Sequence, residues 1–128
     1  MKLLVDTHIF IWWTQDSQKL SPAVRSAIAD PGSALYLSTA SIWEIIIKQQ
    51  LGKLKFPEPL EQSIPQTISH YGLSLLPIEL SHLFRLQGLP LHHRDPFDRL
   101  LVAQAMAENL TLATSDTPLS AYGIPLLF

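Results

Sequence analysis

LLVDTHIFIWW, residues 3–13, joins a short apolar run to an apolar-rich segment through one acid, Asp6. The later residues Ile9, Phe10, Trp12 and Trp13 fall on an i, i+1, i+3, i+4 stripe, which is typical of an amphipathic helix. The stretch therefore predicts a buried strand that passes directly into a helix. A carboxylate at such a junction lies at the carboxyl edge of an α/β sheet, where ligands usually bind.

Length and composition restrict the class of protein. With 128 residues, 47% of them hydrophobic, we expect one globular domain over residues 1–128. The absence of cysteine excludes disulfides, thiolate metal sites and cysteine nucleophiles. A formal charge of −2 means that contact with a polyanion would need local basic patches. Because the longest uncharged stretch, residues 63–78, contains prolines and a glycine, we expect no membrane segment and a cytoplasmic protein.

Strand and helix patterns alternate along the rest of the chain. The patterns predict strands at residues 3–5, 34–37, 73–78, 110–113 and 124–128. They predict helices after Asp6, from Ser21 to Asp30, from 38–41 to Gly52, over 60–70, over 81–86 and over 95–109, with a short turn or helix at Thr117. Proline at position 65 weakens or kinks the fourth helix. This alternation predicts an α/β fold with a parallel sheet and helices on both faces.

Three further acids, Glu44, Asp98 and Asp116, come close after a strand or in the first turns of a helix. Because parallel strands point their carboxyl ends toward one edge, these acids are expected to converge with Asp6. Each acid also has a purely structural interpretation as a helix cap. Asp6 and Asp116 would each cap the helix that follows, and Glu44 would complete a capping box with Ser41.

The sequence Asp95-Pro96-Phe97-Asp98 has the same ambiguity, since Asp95 fits a helix cap and Asp98 the first turn. Together, however, four converging carboxylates would repel one another unless a cation lay among them. Oxygen ligands without thiolates suit Mg²⁺ or Mn²⁺, and such clusters hydrolyse phosphodiesters through metal-activated water. The spacing alone indicates only a metal site.

Four segments together resemble the PIN-domain ribonucleases, specifically the VapC-type toxins of bacterial toxin–antitoxin pairs. They are LLVDTHIFIWW, SIWEIIIKQQLGKL, HHRDPFDRLLVAQA and LATSD, in this order. The resemblance covers essentially the whole chain. It implies a PIN-like three-layer fold with a five-stranded parallel sheet, and Mg²⁺- or Mn²⁺-dependent endonuclease activity on RNA.

The resemblance also assigns residues. The four acids of the family match Asp6, Glu44, Asp98 and Asp116, and its hydroxyl position matches Thr114. We predict that Asp6 and Asp98 bind the principal ion directly and that Glu44 does so directly or through water. Asp116 would act through water or help to hold a second ion. Asp95 is a helix cap or an additional ligand.

Basic and aromatic residues near these acids have open roles. Arg94, Arg99, His92 and His93 flank Asp98 and would either hold phosphates or form ordinary surface and ion-pair contacts. Lys48 lies one helical turn after Glu44, so an ion pair between them competes with RNA contact. The tryptophans, Trp12, Trp13 and Trp43, are expected to pack mainly in the core.

A Trp-Trp pair cannot face one way, so one ring of Trp12 and Trp13 is expected at a surface groove. In the family such grooves receive a VapB-type antitoxin, and homodimers are usual. Competing interpretations are a receiver domain, a PIN domain that only binds, and a PIN nuclease that processes RNA or cuts DNA. A receiver domain lacks support because Thr7 and His8 follow Asp6 where that fold has a second acid.

Overall fold

The computed structural model describes all 128 residues. The chain contains one five-stranded sheet. Its strands are β1 (Lys2–Val5), β2 (Ala34–Ser38), β3 (Ser74–Leu76), β4 (Thr111–Ala113) and β5 (Leu126–Leu127). They lie in the order β3-β2-β1-β4-β5, and every neighbouring pair is parallel. The predicted α/β fold with a five-stranded parallel sheet is confirmed.

Six α-helices connect these strands. They are α1 (Thr7–Thr14), α2 (Pro22–Ala29), α3 (Thr39–Gln50), α4 (Leu60–Tyr71), α5 (Leu80–Gln87) and α6 (Pro96–Glu108), with a 3-10 helix at Thr117–Tyr122. Helix α2 begins as predicted, since the Ser21 hydroxyl accepts the Val24 N–H at 3.2 Å. Helix α4 continues through Pro65, so this proline does not end it. No helix of the structure has the length and apolar character needed to span a membrane.

Two apolar clusters lie on opposite faces of the sheet. Leu3 and Val5 of β1 pack with residues of α1 to α4, whereas Leu4 packs with α6 and the segment after α5. This division follows from the strand geometry, because successive side chains point to opposite faces. Each fully buried leucine or valine contributes roughly 1.5–3 kcal/mol of transfer free energy, so burial on both faces favours β1 as the central strand. The predicted three-layer arrangement is confirmed.

The outer strands are shorter than predicted. The sequence indicated strands over 73–78 and 124–128, but β3 and β5 cover only three and two residues. Each has a single neighbouring strand. Pro77 follows β3 and Pro125 precedes β5, and proline cannot donate a ladder hydrogen bond. Strand β3 therefore ends before Pro77 and β5 begins after Pro125, although the Pro125 carbonyl still accepts the Leu112 N–H at 3.0 Å.

The carboxyl edge of the sheet brings distant segments together. Val5 is in register with Leu37 of β2 and with Ala113 of β4. The Asp6 N–H donates to the Ala113 carbonyl at 3.0 Å, which extends the β1–β4 pairing by one residue. The residues just beyond these strands, including Thr114, therefore lie side by side with Asp6 at this edge.

Candidate active site

Asp6 is the central acid of the edge, one residue beyond β1, and is only 3% exposed. Its Oδ1 accepts the Ile9 N–H at 2.8 Å, so Asp6 does cap α1. The Thr114 hydroxyl also hydrogen-bonds to this carboxyl. Burial nevertheless raises the pKa of Asp6 above its ordinary value of 3.8, against the opposing effect of these two hydrogen bonds. The cap therefore leaves an acid whose ionised form a nearby positive charge would favour.

Asp98 lies in the first turn of α6 and belongs to the same cluster. Burial is the main cause that raises the pKa of Asp98 from 3.8 to about 7, and repulsion from Asp95, Asp6 and Glu44 adds to it. His93 acts in the opposite direction. Because repulsion from both Asp6 and Glu44 raises the pKa of Asp98, the three acids lie near one another at this edge.

Glu44 lies in the second turn of α3 and is 5% exposed. The predicted capping box with Ser41 is wrong, because the helix begins earlier and Ser38 caps it by accepting the Ala40 N–H at 3.0 Å. Glu44 instead forms the predicted ion pair with Lys48, with 3.0 Å between Oε2 and Nζ. Its other oxygen, Oε1, is buried and has no hydrogen-bond partner. One oxygen of Glu44 is therefore available for a cation.

Asp116 lies three residues beyond β4 but does not cap the 3-10 helix with its side chain. The predicted cap is wrong because the carboxyl is engaged elsewhere, with Oδ2 at 2.7 Å from Nε2 of His93. The Asp116 N–H donates to the Thr114 hydroxyl at 3.1 Å. Thr114 thus contacts Asp6 through its hydroxyl proton and Asp116 through its oxygen, and it connects the two acids.

His93 is the site residue whose position the sequence did not reveal. Its Nδ1 accepts the Asp95 N–H at 3.1 Å, so the ring proton is on Nε2 and is donated to Asp116. The same Nε2 lies 3.7 Å from Oδ2 of Asp98. The His93 N–H donates to the Tyr122 hydroxyl at 3.1 Å, which fixes the loop. The alternative in which His93 is an ordinary solvated loop residue is therefore wrong.

Asp95 has a structural role that the sequence predicted. Its Oδ1 accepts the N–H groups of Phe97 and Asp98 at 2.8 and 3.2 Å, so it caps α6. Its charge remains close enough to raise the pKa of Asp98. The cap is confirmed. Repulsion from Asp95 disfavours the ionised form of Asp98, and a bound cation would offset this effect.

The donor atoms fit a divalent cation of the hard class. The carboxyl groups of Asp6, Glu44 and Asp98 lie near one another, burial raises the pKa values of Asp6 and Asp98, and the Oε1 atom of Glu44 lacks a hydrogen-bond partner. Such oxygen donors suit Mg²⁺ or Mn²⁺. One ligand atom each from His93, Asp98 and Asp116 also lies within 4.8 Å of the others. Because its Nε2 carries the proton, however, His93 is arranged as a hydrogen-bond donor.

The other predicted contact residues are less closely tied to the acids. His92 and Arg94 are exposed, and the His92 ring packs edge-on against Tyr122 with 5.1 Å between centroids. Arg99 donates from Nη2 to the Leu89 carbonyl at 3.1 Å, not to an acid. The predicted ion pair of Arg99 is therefore not formed. The exposed His92 and Arg94 remain free to approach a phosphate.

The tryptophans differ from one another in environment. Trp12 and Trp13 are half-buried against the core beneath α1, and Trp13 packs edge-on against Tyr71 at 5.1 Å. Trp43 is 57% exposed, so the prediction that it packs in the core is wrong. Residues two positions apart on a helix point in different directions. Ile45 of α3 faces the core, so Trp43 lies on another side of the helix.

Comparison with known proteins places this geometry in a family. The PIN domain model matches residues 3–124. The ribonuclease VapC22 of Mycobacterium tuberculosis is 27% identical over 124 residues, which cover 96% of this chain and 93% of VapC22. The ribonuclease VapC16 of the same organism is 38% identical over 58 residues, which cover 45% of this chain and only 41% of VapC16.

Solved structures agree in fold. VapBC2 from Rickettsia felis, bound to a DNA fragment from the promoter, has a TM-score of 0.71 at 17% identity, over 99% of this chain and 98% of that one. A toxin–antitoxin complex from Klebsiella pneumoniae has a TM-score of 0.67 at 21% identity, over 98% and 96% of the two chains. The resemblance drawn from the four sequence segments is confirmed, and the chain belongs to the PIN domain family.

Proposed function

We propose that this chain is a metal-dependent endoribonuclease that hydrolyses RNA phosphodiester bonds as the toxin of a type II toxin–antitoxin pair. The observation that carries the proposal is the acid cluster, where burial and mutual repulsion raise the pKa values of Asp6 and Asp98. A cation among these carboxylates would favour their ionised forms. The ribonuclease names of its VapC relatives support RNA as the substrate.

The four acids would hold Mg²⁺ or Mn²⁺ in different ways. Asp6 and Asp98 would bind the ion directly, Glu44 directly or through water, and Asp116 through water or at a second ion. Such an ion, when bound, promotes the ionisation of water and stabilises the leaving oxygen. Thr114, which contacts Asp6 and Asp116, would keep both carboxyls oriented.

Basic side chains at the rim would contact the RNA backbone. Arg94 and His92 are exposed on the loop before α6, and their charge and hydrogen-bonding groups suit phosphate oxygens. Lys48 and Arg99 would contribute less, since Lys48 is paired with Glu44 and Arg99 with the Leu89 carbonyl. Because cellular RNA is the proposed substrate, the site of action would be the cytoplasm.

A VapB-type antitoxin is the proposed protein partner, and a homodimer the proposed assembly. Solved neighbours of similar fold are VapBC and other toxin–antitoxin complexes, which supports a partner of this type. Trp12 and Trp13 would contribute to the antitoxin groove, since both rings retain partial exposure on α1. A pull-down with the neighbouring antitoxin should weaken for Trp12→Ala or Trp13→Ala, and undiminished binding by both variants would remove these residues from the groove.

The test of the catalytic proposal is RNA cleavage by the purified chain with Mg²⁺, with EDTA, and in an Asp6→Asn variant. A matched control is Asp30→Asn, because Asp30 precedes β2 and lies at the opposite edge of the sheet. We expect cleavage by wild type and Asp30→Asn with Mg²⁺, and none by Asp6→Asn or with EDTA. Full cleavage by a folded Asp6→Asn variant would overturn the assignment.

A further inference from the structure

Trp43 and Phe97 form an aromatic pair beside the acid cluster. Trp43 immediately precedes Glu44 on α3, and Phe97 immediately precedes Asp98 on α6. Their ring centroids are 5.2 Å apart, with 78° between the planes. Since repulsion between Glu44 and Asp98 acts across this same helix junction, the aromatic pair lies at the rim of the candidate metal site.

Most of the Trp43 surface remains accessible in this arrangement. The side chain is 57% exposed, whereas Phe97 is half-buried. Because the two planes are nearly perpendicular, the rings meet edge to face and do not cover each other as stacked rings would. The contact instead holds the Trp43 ring at a defined angle next to the acids. A flat aromatic surface therefore remains exposed beside the candidate metal site.

We propose that Trp43, held by Phe97, is the stacking surface for an unpaired nucleobase next to the phosphate that is cut. The inference rests on the proposed function and adds to it a residue that would hold one base of the RNA. Bases stack on tryptophan whatever their identity, because every base has a π-face. In an A-form duplex the base faces are covered by their neighbours, so only an unpaired base can reach the ring.

The chemistry of the surroundings favours a base over other RNA groups at this position. Glu44 and Asp98 directly follow the two aromatic residues, so the phosphate that is cut would lie at the cation that these acids hold. The uncharged indole ring beside them offers a phosphate no partner, but it offers an apolar face to a neutral base. Phosphates adjacent to the stacked base would extend toward Arg94, which is exposed on the loop before α6.

A protein partner is the competing occupant of this surface, and the structure provides a way to separate the two. A partner that covered α3 would also bury Ile46, which lies on the next turn and is 38% exposed. A stacked base needs the indole ring alone. Ile46→Ser should therefore weaken a protein interface but leave RNA stacking intact. Trp43→Ala should weaken RNA binding if a base stacks on the ring.

The experiment measures cleavage and tryptophan fluorescence with a single-stranded RNA oligonucleotide of mixed sequence, and with one that spans a cleavage site mapped in total RNA. The variants are Trp43→Ala, Trp43→Phe and Ile46→Ser, with Phe84→Ala as a matched control because Phe84 is 67% exposed on α5, outside the acid cluster. Thermal unfolding checks that each variant is folded, and sedimentation gives its oligomeric state.

We expect Trp43→Ala to raise KM about tenfold, and Trp43→Phe to recover most of that loss. Ile46→Ser and Phe84→Ala should cleave as wild type does. Replacing the stacked base of the RNA by an abasic site should raise the KM of wild type by a similar factor and leave the KM of Trp43→Ala unchanged. RNA should quench the wild-type fluorescence more strongly than that of Trp43→Phe.

Two results would overturn the inference. One is a Trp43→Ala variant that cleaves and binds as wild type does. The other is a loss that Ile46→Ser shares and that follows dissociation of an oligomer, which would assign the surface to a protein partner. If wild type does not cleave RNA at all, the proposed function fails, but fluorescence quenching and the abasic comparison still decide whether a base stacks on Trp43.

Discussion

Replacing Asp98 by asparagine is expected to stabilise the metal-free protein, although it removes a proposed metal ligand. Burial and the neighbouring acids raise the pKa of Asp98 from 3.8 to about 7. The folded state therefore binds this proton more tightly than the unfolded state does. The free energy of unfolding must then fall as the pH rises from about 4 to about 7, and the full cost is present above that range.

The magnitude follows from the same pKa values. The difference between 3.8 and about 7 corresponds to about 4 kcal/mol without solvent screening. The Asp98 side chain is 17% exposed, so water and salt reduce the effect, and we expect about 2 kcal/mol. Asparagine has nearly the same shape and never ionises. At pH 8 in EDTA, Asp98→Asn should therefore be about 2 kcal/mol more stable than wild type.

Urea unfolding followed by circular dichroism measures this difference. The advantage of Asp98→Asn should disappear near pH 4, where the wild-type carboxyl is protonated. Adding Mg²⁺ at pH 8 should stabilise wild type but hardly affect the variant, because only the state that binds the ion gains free energy. A variant that is less stable than wild type at pH 8 in EDTA would refute the reasoning.

Three further substitutions test other parts of the site and fold. His93→Ala should lower kcat for RNA cleavage about tenfold or more by freeing Asp116, and His93→Gln should recover part of the loss because its amide can donate in the same direction; equal losses in both would contradict this role. Lys48→Gln should tighten Mg²⁺ binding in calorimetry, since the 3.0 Å ion pair with Glu44 competes with the ion; weaker binding would show that Lys48 does not compete. Leu101→Ala should lower the free energy of unfolding in urea by about 2–5 kcal/mol, because Leu101 is fully buried between α6 and the sheet; a change near zero would contradict the described core.

Much of the fold could be predicted because local sequence and topology act together. The step from an apolar run to an acid at Asp6 predicted a buried strand and its carboxyl edge. Once the order of strands and helices indicated a parallel sheet, the positions of Glu44 and Asp98 near that edge followed. The caps at Ser21 and Asp95 were predictable because they depend only on residues a few positions away.

Contacts that depend on tertiary placement were not predictable in the same way. Ser41 and Glu44 have the spacing of a capping box, yet the helix begins at Thr39 because Ser38 already ends the strand and caps the helix. His93 was one of two neighbouring histidines in a loop. Only the folded structure, with Tyr122 holding that loop, reveals which ring reaches Asp116.

The exposure of Trp43 shows a similar limit. Its neighbours on α3 are mostly apolar, so the helix pattern did not define a single buried face. The structure selects Ile45 for the core and leaves Trp43 at the surface beside Phe97.

The most direct test of a metal site built from strand-end acids is Mn²⁺ binding, measured by electron paramagnetic resonance near pH 8. Wild type and Asp30→Asn should bind Mn²⁺ alike, and Mg²⁺ should compete for the same site. Asp6→Asn, which changes only the central acid beyond β1, should lose binding while its circular dichroism spectrum is retained. Unchanged Mn²⁺ affinity in a folded Asp6→Asn variant would contradict the central role of this carboxylate.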